Sequence, residues 1–176
     1  AQANPDGGWP SGQDARGSFG YLGGEYRFLF GAEAAFRWAA PPNAPNLSSL
    51  AVEADARMPA GTEGNVALVF GLNNAGNDFH IYEITRDGRY ALYRWFGNQW
   101  QTLLSPQPSP ALRIGEQPNH LLLVRESGLT RLFANGQEVS LVTDIAAPAG
   151  RSGIYASTNT GGLEARFDNY RLYDLP

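Results

Sequence analysis

Glu83, Arg89, Tyr93, Trp95 and Trp100 have side-chain types suited to holding a sugar. Phenol and indole rings offer flat apolar surface on which a sugar ring stacks. A carboxylate and a guanidinium offer hydrogen bonds to hydroxyls, and ligand sites pair apolar surface with a few placed polar groups in this way. Tyr93 and Trp95 are two residues apart, so on a strand they share a face. Trp95 and Trp100 flank Gly97-Asn98, a two-residue hairpin turn that sets them directly opposite each other. The histidines, His80 and His120, have no metal-ligand spacing around them and no G-x-S-x-G elbow to serve, so they read as structural or surface residues. Cysteine is absent, which excludes a disulfide framework, thiolate metal sites and Cys nucleophiles.

The elements that must position these residues are strands. Residues 50–57 alternate cleanly, with Val52, Ala54 and Ala56 on one face and Glu53, Asp55 and Arg57 on the other. Residues 65–72 form a mostly apolar run, the mark of a more central strand. Stretches 79–84, 89–96 and 99–104 predict one meander; 120–126, 130–134 and 137–143 predict a second; 154–157 and 163–173 close the chain. Residues 32–40 are Ala-rich and stopped by Pro41-Pro42, which leaves a strand, an irregular connection or a short helix open. Asn135-Gly136 and Gly97-Asn98 are two-residue hairpin signals, Ser127-Gly128 is another, and Arg86-Asp87-Gly88 fits a three-residue loop. About a dozen short strands joined this way predict an all-β, two-sheet antiparallel sandwich.

With those turns, Ile84 faces Tyr90, Tyr82 faces Leu92, Ile81 faces Tyr93, Trp95 faces Trp100 and Leu92 faces Leu103. One face then carries Tyr82, Ile84, Tyr90, Leu92 and Leu103 and is assigned to the core, being more aliphatic and free of carboxylates. The other carries Phe79, Ile81, Glu83, Tyr93, Trp95, Trp100 and Thr102. In the FDNYRLY run, Phe167 and Tyr170 come into phase if a bulge falls at Asp168-Asn169.

A chain of 176 residues suits one domain without staples. The expected division is an N-terminal extension, 1–17, followed by a single sandwich, 18–176. The formal charge is −4, all 13 cationic residues are Arg, and no basic run is present, which argues against nucleic-acid binding. No apolar run approaches the ~20 residues of a membrane-spanning helix, so insertion into a membrane is not expected. The chain starts at Ala1 without Met, and its AQA opening resembles the small-residue end of a signal peptide, so a mature form or an excised domain is expected.

The phrases NDFHIYEITRDGRYALYRW, PNHLLLVRESGLTRLFANGQEV, GRSGIYAST and ARFDNYRLYDL, in that order, resemble concanavalin A-like, laminin-G-like jelly rolls. The nearest likeness is to extracellular modules attached to bacterial membrane kinases and lipoproteins. It covers roughly residues 18–174. The resemblance implies two stacked, curved sheets, a concave face or rim that binds sugar in some members, and an extracellular or cell-surface setting. Jelly-roll glycanases of this kind carry Glu-x-Asp-x-x-Glu; here EADARM supplies Glu53 and Asp55 but Met58 in place of the last acid, which argues against that enzyme class. The resemblance also implies that an acid on the terminal strand, Asp168 here, could help hold a structural Ca²⁺. Only Asp168 and Asn169 are identifiable for it, and a bulge with Asp168 bonded to local backbone is the competing reading. No other cofactor is expected.

Three readings of the aromatic face stay open: a ligand site, burial beneath the N-terminal segment with Trp9 and Phe19, or an interface with a partner chain. The functions that follow are a non-catalytic recognition module for a glycan or another cell-surface ligand, a glycan hydrolase with an unrecognised carboxylate pair, and a structural or interaction domain.

Overall fold

The structure, a computed structural model, describes residues 8–60, 63–143 and 145–176. The AQA opening and residues 1–7 of the expected extension lie outside the described residues. In chain order the strands are β1 (Gly12–Asp14), β2 (Gly17–Leu22), β3 (Glu25–Phe30), β4 (Ala35–Ala39), β5 (Leu50–Ala60), β6 (Asn65–Leu72) and β7 (Asp78–Thr85). Then come β8 (Arg89–Phe96), β9 (Gln99–Pro108), β10 (Asn119–Glu126), β11 (Leu129–Ala134), β12 (Gln137–Thr143), β13 (Arg151–Thr158) and β14 (Glu164–Asp174). Among the described residues there is no helix. The open segment 32–40 resolves as strand β4. Strand β1 falls within the expected extension and pairs with β2, so residues 12–14 and Gly17 are part of the sheet.

Among the described residues all strand pairings are antiparallel. An eight-stranded sheet has the order β1-β2-β3-β14-β5-β10-β11-β12, and a six-stranded sheet has the order β4-β13-β6-β7-β8-β9. The core lies between them. Alternation drives it: Val52, Ala54, Ala56 and Met58 of β5 and Leu121 and Leu123 of β10 point inward from one sheet, and Val66, Leu68, Phe70, Tyr82, Ile84 and Leu92 from the other. Tyr82 and Tyr90 are inward too, and their hydroxyls reach across the sandwich. Tyr82 donates to the Phe133 carbonyl at 3.1 Å, where the β11–β12 register slips, and Tyr90 donates to the Val139 carbonyl at 2.6 Å. A buried phenol needs such a partner.

The turns take their expected conformations. Gly97 and Asn98 both have φ 60°, and Asn135 and Gly136 have φ 49° and 81°, as a type I′ turn requires. Gly88, at φ 82°, closes the three-residue loop by donating to the Thr85 carbonyl at 3.1 Å. Ile84 pairs with Tyr90, Tyr82 with Leu92 and Trp95 with Trp100. One pairing differs from expectation. Leu92 faces Leu104, not Leu103, because the β8–β9 register shifts on either side of Leu92. Leu104 therefore packs on the core and Leu103 turns out to 37% exposure. The bulge expected in β14 is present: Asp168 pairs with Asp55 and Arg171 with Glu53, with Asn169 at φ 53° between them.

Candidate functional site

The two outward faces of the sandwich have different chemistry. On the eight-stranded sheet, Arg57 reaches Glu25 at 2.8 and 2.5 Å, Arg166 joins Glu25 at 2.9 Å and Glu164 at 2.7 Å. These guanidiniums, Arg57 first, hold the Glu25 carboxyl below the usual range. Glu53 and Asp55 belong to the same face. His120 lies between them, Nδ1 2.9 Å from Asp55 and Nε2 3.3 Å from Glu53, while Asn169, Arg171 and Tyr173 bond to the same two carboxylates. Met58 points the opposite way, into the core, at 3% exposure. An acid there would be buried away from Glu53 and Asp55.

The outward face of the six-stranded sheet is aromatic. Ala67 and Val69 of β6, Phe79 and Ile81 of β7 and Tyr155 of β13 form a second buried cluster, packed under Phe36, Trp38, Tyr93 and Trp95. Strands β6 and β7 are thus buried on both faces. The cover comes from the sheet's own rings. Trp100 leans inward from β9, with its ring 5.0 Å from Trp95, 5.8 Å from Phe79, 5.9 Å from Tyr155 and 6.2 Å from Phe36 and Tyr93. It remains 38% exposed. The aromatics expected as cover from the N-terminal segment lie elsewhere: Trp9 packs against Tyr26 and Tyr170, and Phe19 sits beneath the Arg37 guanidinium.

The rings leave a cavity of about 440 Å³ open to solvent. Phe36, Tyr93, Trp100 and Tyr155 wall it, and Asn65, Glu83, Ser157 and Asn159 provide its polar groups. Glu83 is 6% exposed, and Asn65 Nδ2 donates to it at 3.1 Å. Burial pushes its carboxyl up to about 7, partly offset by the Asn65 bond. A neighbouring cavity of about 500 Å³ shares Asn65 and Asn159 and continues to Glu63, Thr85 and Asp87 at the end of the β7–β8 hairpin.

Of the five residues expected to act together, Glu83, Tyr93 and Trp100 line the cavity. Trp95 flanks it beside Trp100. Arg89 stands apart, which corrects the expectation. Glu83 pairs with Ala91, so Arg89 lies two residues beyond it toward the turn, with its Nε 3.3 Å from Asp87. The sequence reading missed Phe36, Asn65 and Tyr155. Tyr155 and Ser157 alternate with inward Ile154 and Ala156, which is a legible signal; that β13 sits between β4 and β6 is a long-range fact that no local pattern carries.

His80 is fully buried in β7, its ring stacked 5.0 Å from Phe70, and burial lowers it to about 4. Asp168 is exposed, and its Oδ1 accepts from the Asn169 backbone at 2.7 Å. Among the described residues no group of three or more acids and histidines is placed to hold a metal. Asp168 and Asn169 by themselves supply only part of the six to eight oxygens that a Ca²⁺ site takes.

The stacked antiparallel sheets with this strand order define a jelly-roll sandwich. No family model and no curated protein matches the sequence. Solved structures do resemble it. The carbohydrate recognition domain of Emp46p in its potassium-bound form overlays with a TM-score of 0.67 at 15% identity, covering 95% of this chain and 88% of that one. Carbohydrate-binding module CBM66 from Bacillus subtilis gives 0.63 at 15% identity, covering 95% and 96%. Sheep galectin-11, in complex with glycerol, gives 0.55 at 12% identity, covering 80% and 98%. At these identities the likeness establishes the fold.

Proposed function

We propose that the chain is a non-catalytic recognition module that binds carbohydrate on the outward face of its six-stranded sheet. The observation that carries this reading is the open cavity walled by Phe36, Tyr93, Trp100 and Tyr155 around the buried Glu83. Rings present apolar faces to the C–H side of a sugar, while Glu83, Asn65 and Ser157 meet its hydroxyls. The lectins and the carbohydrate-binding module that share the fold support the same class of ligand. An extracellular or cell-surface setting follows from the reading, because glycans are displayed there. Arg89 is left out of the site.

The hydrolase reading is weaker. Among the described residues Glu83 is the one acid lining the cavity, and Glu53 and Asp55 stand on the other sheet. A glycan array, followed by calorimetry on each hit, tests the proposal with Trp100→Ala as the variant. Binding to at least one glycan, weakened tenfold or more by Trp100→Ala, is expected. No binding to any glycan, or binding indifferent to Trp100→Ala and Tyr155→Ala alike, overturns it.

A further inference from the structure

Among the well-buried carboxylates of the described residues, Glu83 is the exception. Glu25, Glu53, Asp78 and Glu164 have side chains 20%, 14%, 15% and 17% exposed, and each faces an arginine. Glu83 is more buried than any of them by residue, at 6%, and its side-chain partner is the neutral amide of Asn65. Among the described residues no Arg or His lines the cavity into which it opens. A carboxylate withdrawn from water is strongly destabilised unless a cation compensates it. Among the described residues that line this cavity there is no cation, and the space beside the acid is open to solvent.

The walls favour the same kind of guest. Aromatic rings carry negative charge on their faces and attract cations held within about 6 Å of the ring centre. Tyr93 and Trp100 stand with ring centres 6.2 Å apart, Trp100 and Tyr155 5.9 Å, and Phe36 and Tyr155 5.9 Å, around one opening. Burial of Glu83 without a counter-charge also raises its carboxyl toward neutrality, which a bound cation would reverse. A neutral sugar offers the ionised form of this acid no counter-charge, and an acidic sugar would repel that form.

Building on the carbohydrate reading above, we propose that the cavity selects a sugar bearing a free, protonated amine, whose ammonium is set against Glu83 and enclosed by Tyr93, Trp100 and Tyr155. The amine donates to the Glu83 carboxylate in a charge-assisted hydrogen bond, and the rest of the sugar ring stacks on the indole. No bond is made or broken.

The test uses three matched ligands, glucosamine, N-acetylglucosamine and glucose, each as monosaccharide and as β-1,4-linked tetramer. They share a skeleton and differ at one carbon, which carries an ammonium, an acetamide or a hydroxyl. Calorimetry at slightly acid pH measures each against wild type, Glu83→Gln and Glu138→Gln. The last makes the same charge change at an exposed site on β12. The expected result is at least tenfold tighter binding of the free amine than of the other two, lost in Glu83→Gln and kept in Glu138→Gln. The wild-type preference is readable without any variant, so a folding defect in Glu83→Gln does not obscure it. Equal affinity for all three, or a preference that survives Glu83→Gln in a folded protein, overturns the amine assignment. If none of the three binds but an array finds other glycans, the amine assignment falls and the carbohydrate reading stands. If no glycan binds at all, both fall.

Discussion

Glu83 and His80 show what burial does to single groups, and they act in opposite directions. The Glu83 carboxyl rises from 4.5 to about 7, so the folded protein holds a proton there that the unfolded chain releases. Its contribution to stability is greatest below about pH 4.5 and is lost as pH rises toward 7. His80 falls from 6.5 to about 4, so it stabilises the fold above 6.5 and loses that contribution as pH drops toward 4. The two windows overlap and flatten the wild-type profile. Glu83→Gln removes one arm. The variant is expected to be more stable than wild type by about 3 kcal/mol at pH 8, the equivalent of the Glu83 shift, with the difference vanishing near pH 4. Urea denaturation across that range measures it, and a difference independent of pH would show that Glu83 is not desolvated as described.

At the scale of elements, the β7–β8–β9 meander sets the site, and a single slip in its register separates two adjacent leucines. Leu104 packs on the core and Leu103 faces out. Leu104→Ala is expected to cost about 2 kcal/mol and Leu103→Ala under about 1 kcal/mol, by thermal or chemical unfolding. The reverse order would restore the simple pairing of Leu92 with Leu103. Trp100 is intermediate. It is partly exposed, yet it covers Phe79, so Trp100→Ala is expected to cost about 2 kcal/mol, short of the 3–5 kcal/mol of a fully buried Trp. The local parts of this meander were legible. Arg86-Asp87-Gly88 and Gly97-Asn98 fixed the turns, and from them came the Trp95–Trp100 pairing, the Ile81–Tyr93 pairing and the placing of Glu83 and Tyr93 on one face. The bulge near Leu92 was not legible, because an extra residue in a strand leaves the alternation readable in either phase. In β14 the opposite held: Phe167 and Tyr170 are out of phase in a way that only a bulge repairs. The far wall of the cavity, Phe36 and Tyr155, depends on which strands neighbour β6, and that is decided by pairings distant in sequence.

For the whole molecule, the sandwich keeps its acids on opposite sides. Packed sheets lie about 10 Å apart, and side chains on their outward faces point away from each other. Glu53 and Asp55 on one outer face therefore cannot work with Glu83 on the other. Glycoside hydrolysis needs two carboxyls flanking one bond, about 5–5.5 Å apart for retention or 6.5–9.5 Å for inversion. Burial gives Glu83 the raised carboxyl pKa of a proton donor, but a donor without a nucleophile or a base does not turn over. The acids nearest along the groove are Asp87, held by Thr85 and Arg89, and the exposed Glu63. The expected outcome is that any oligosaccharide bound by the cavity is recovered intact after prolonged incubation, with no new reducing ends. Should reducing ends appear, Glu83→Gln with Asp87→Asn and with Glu63→Gln would identify the pair. Turnover abolished by Glu83→Gln and by one of the other two would make this chain an enzyme, with its site spread across both cavities. Turnover unaffected by Glu83→Gln would point to a contaminating hydrolase and leave the recognition reading in place.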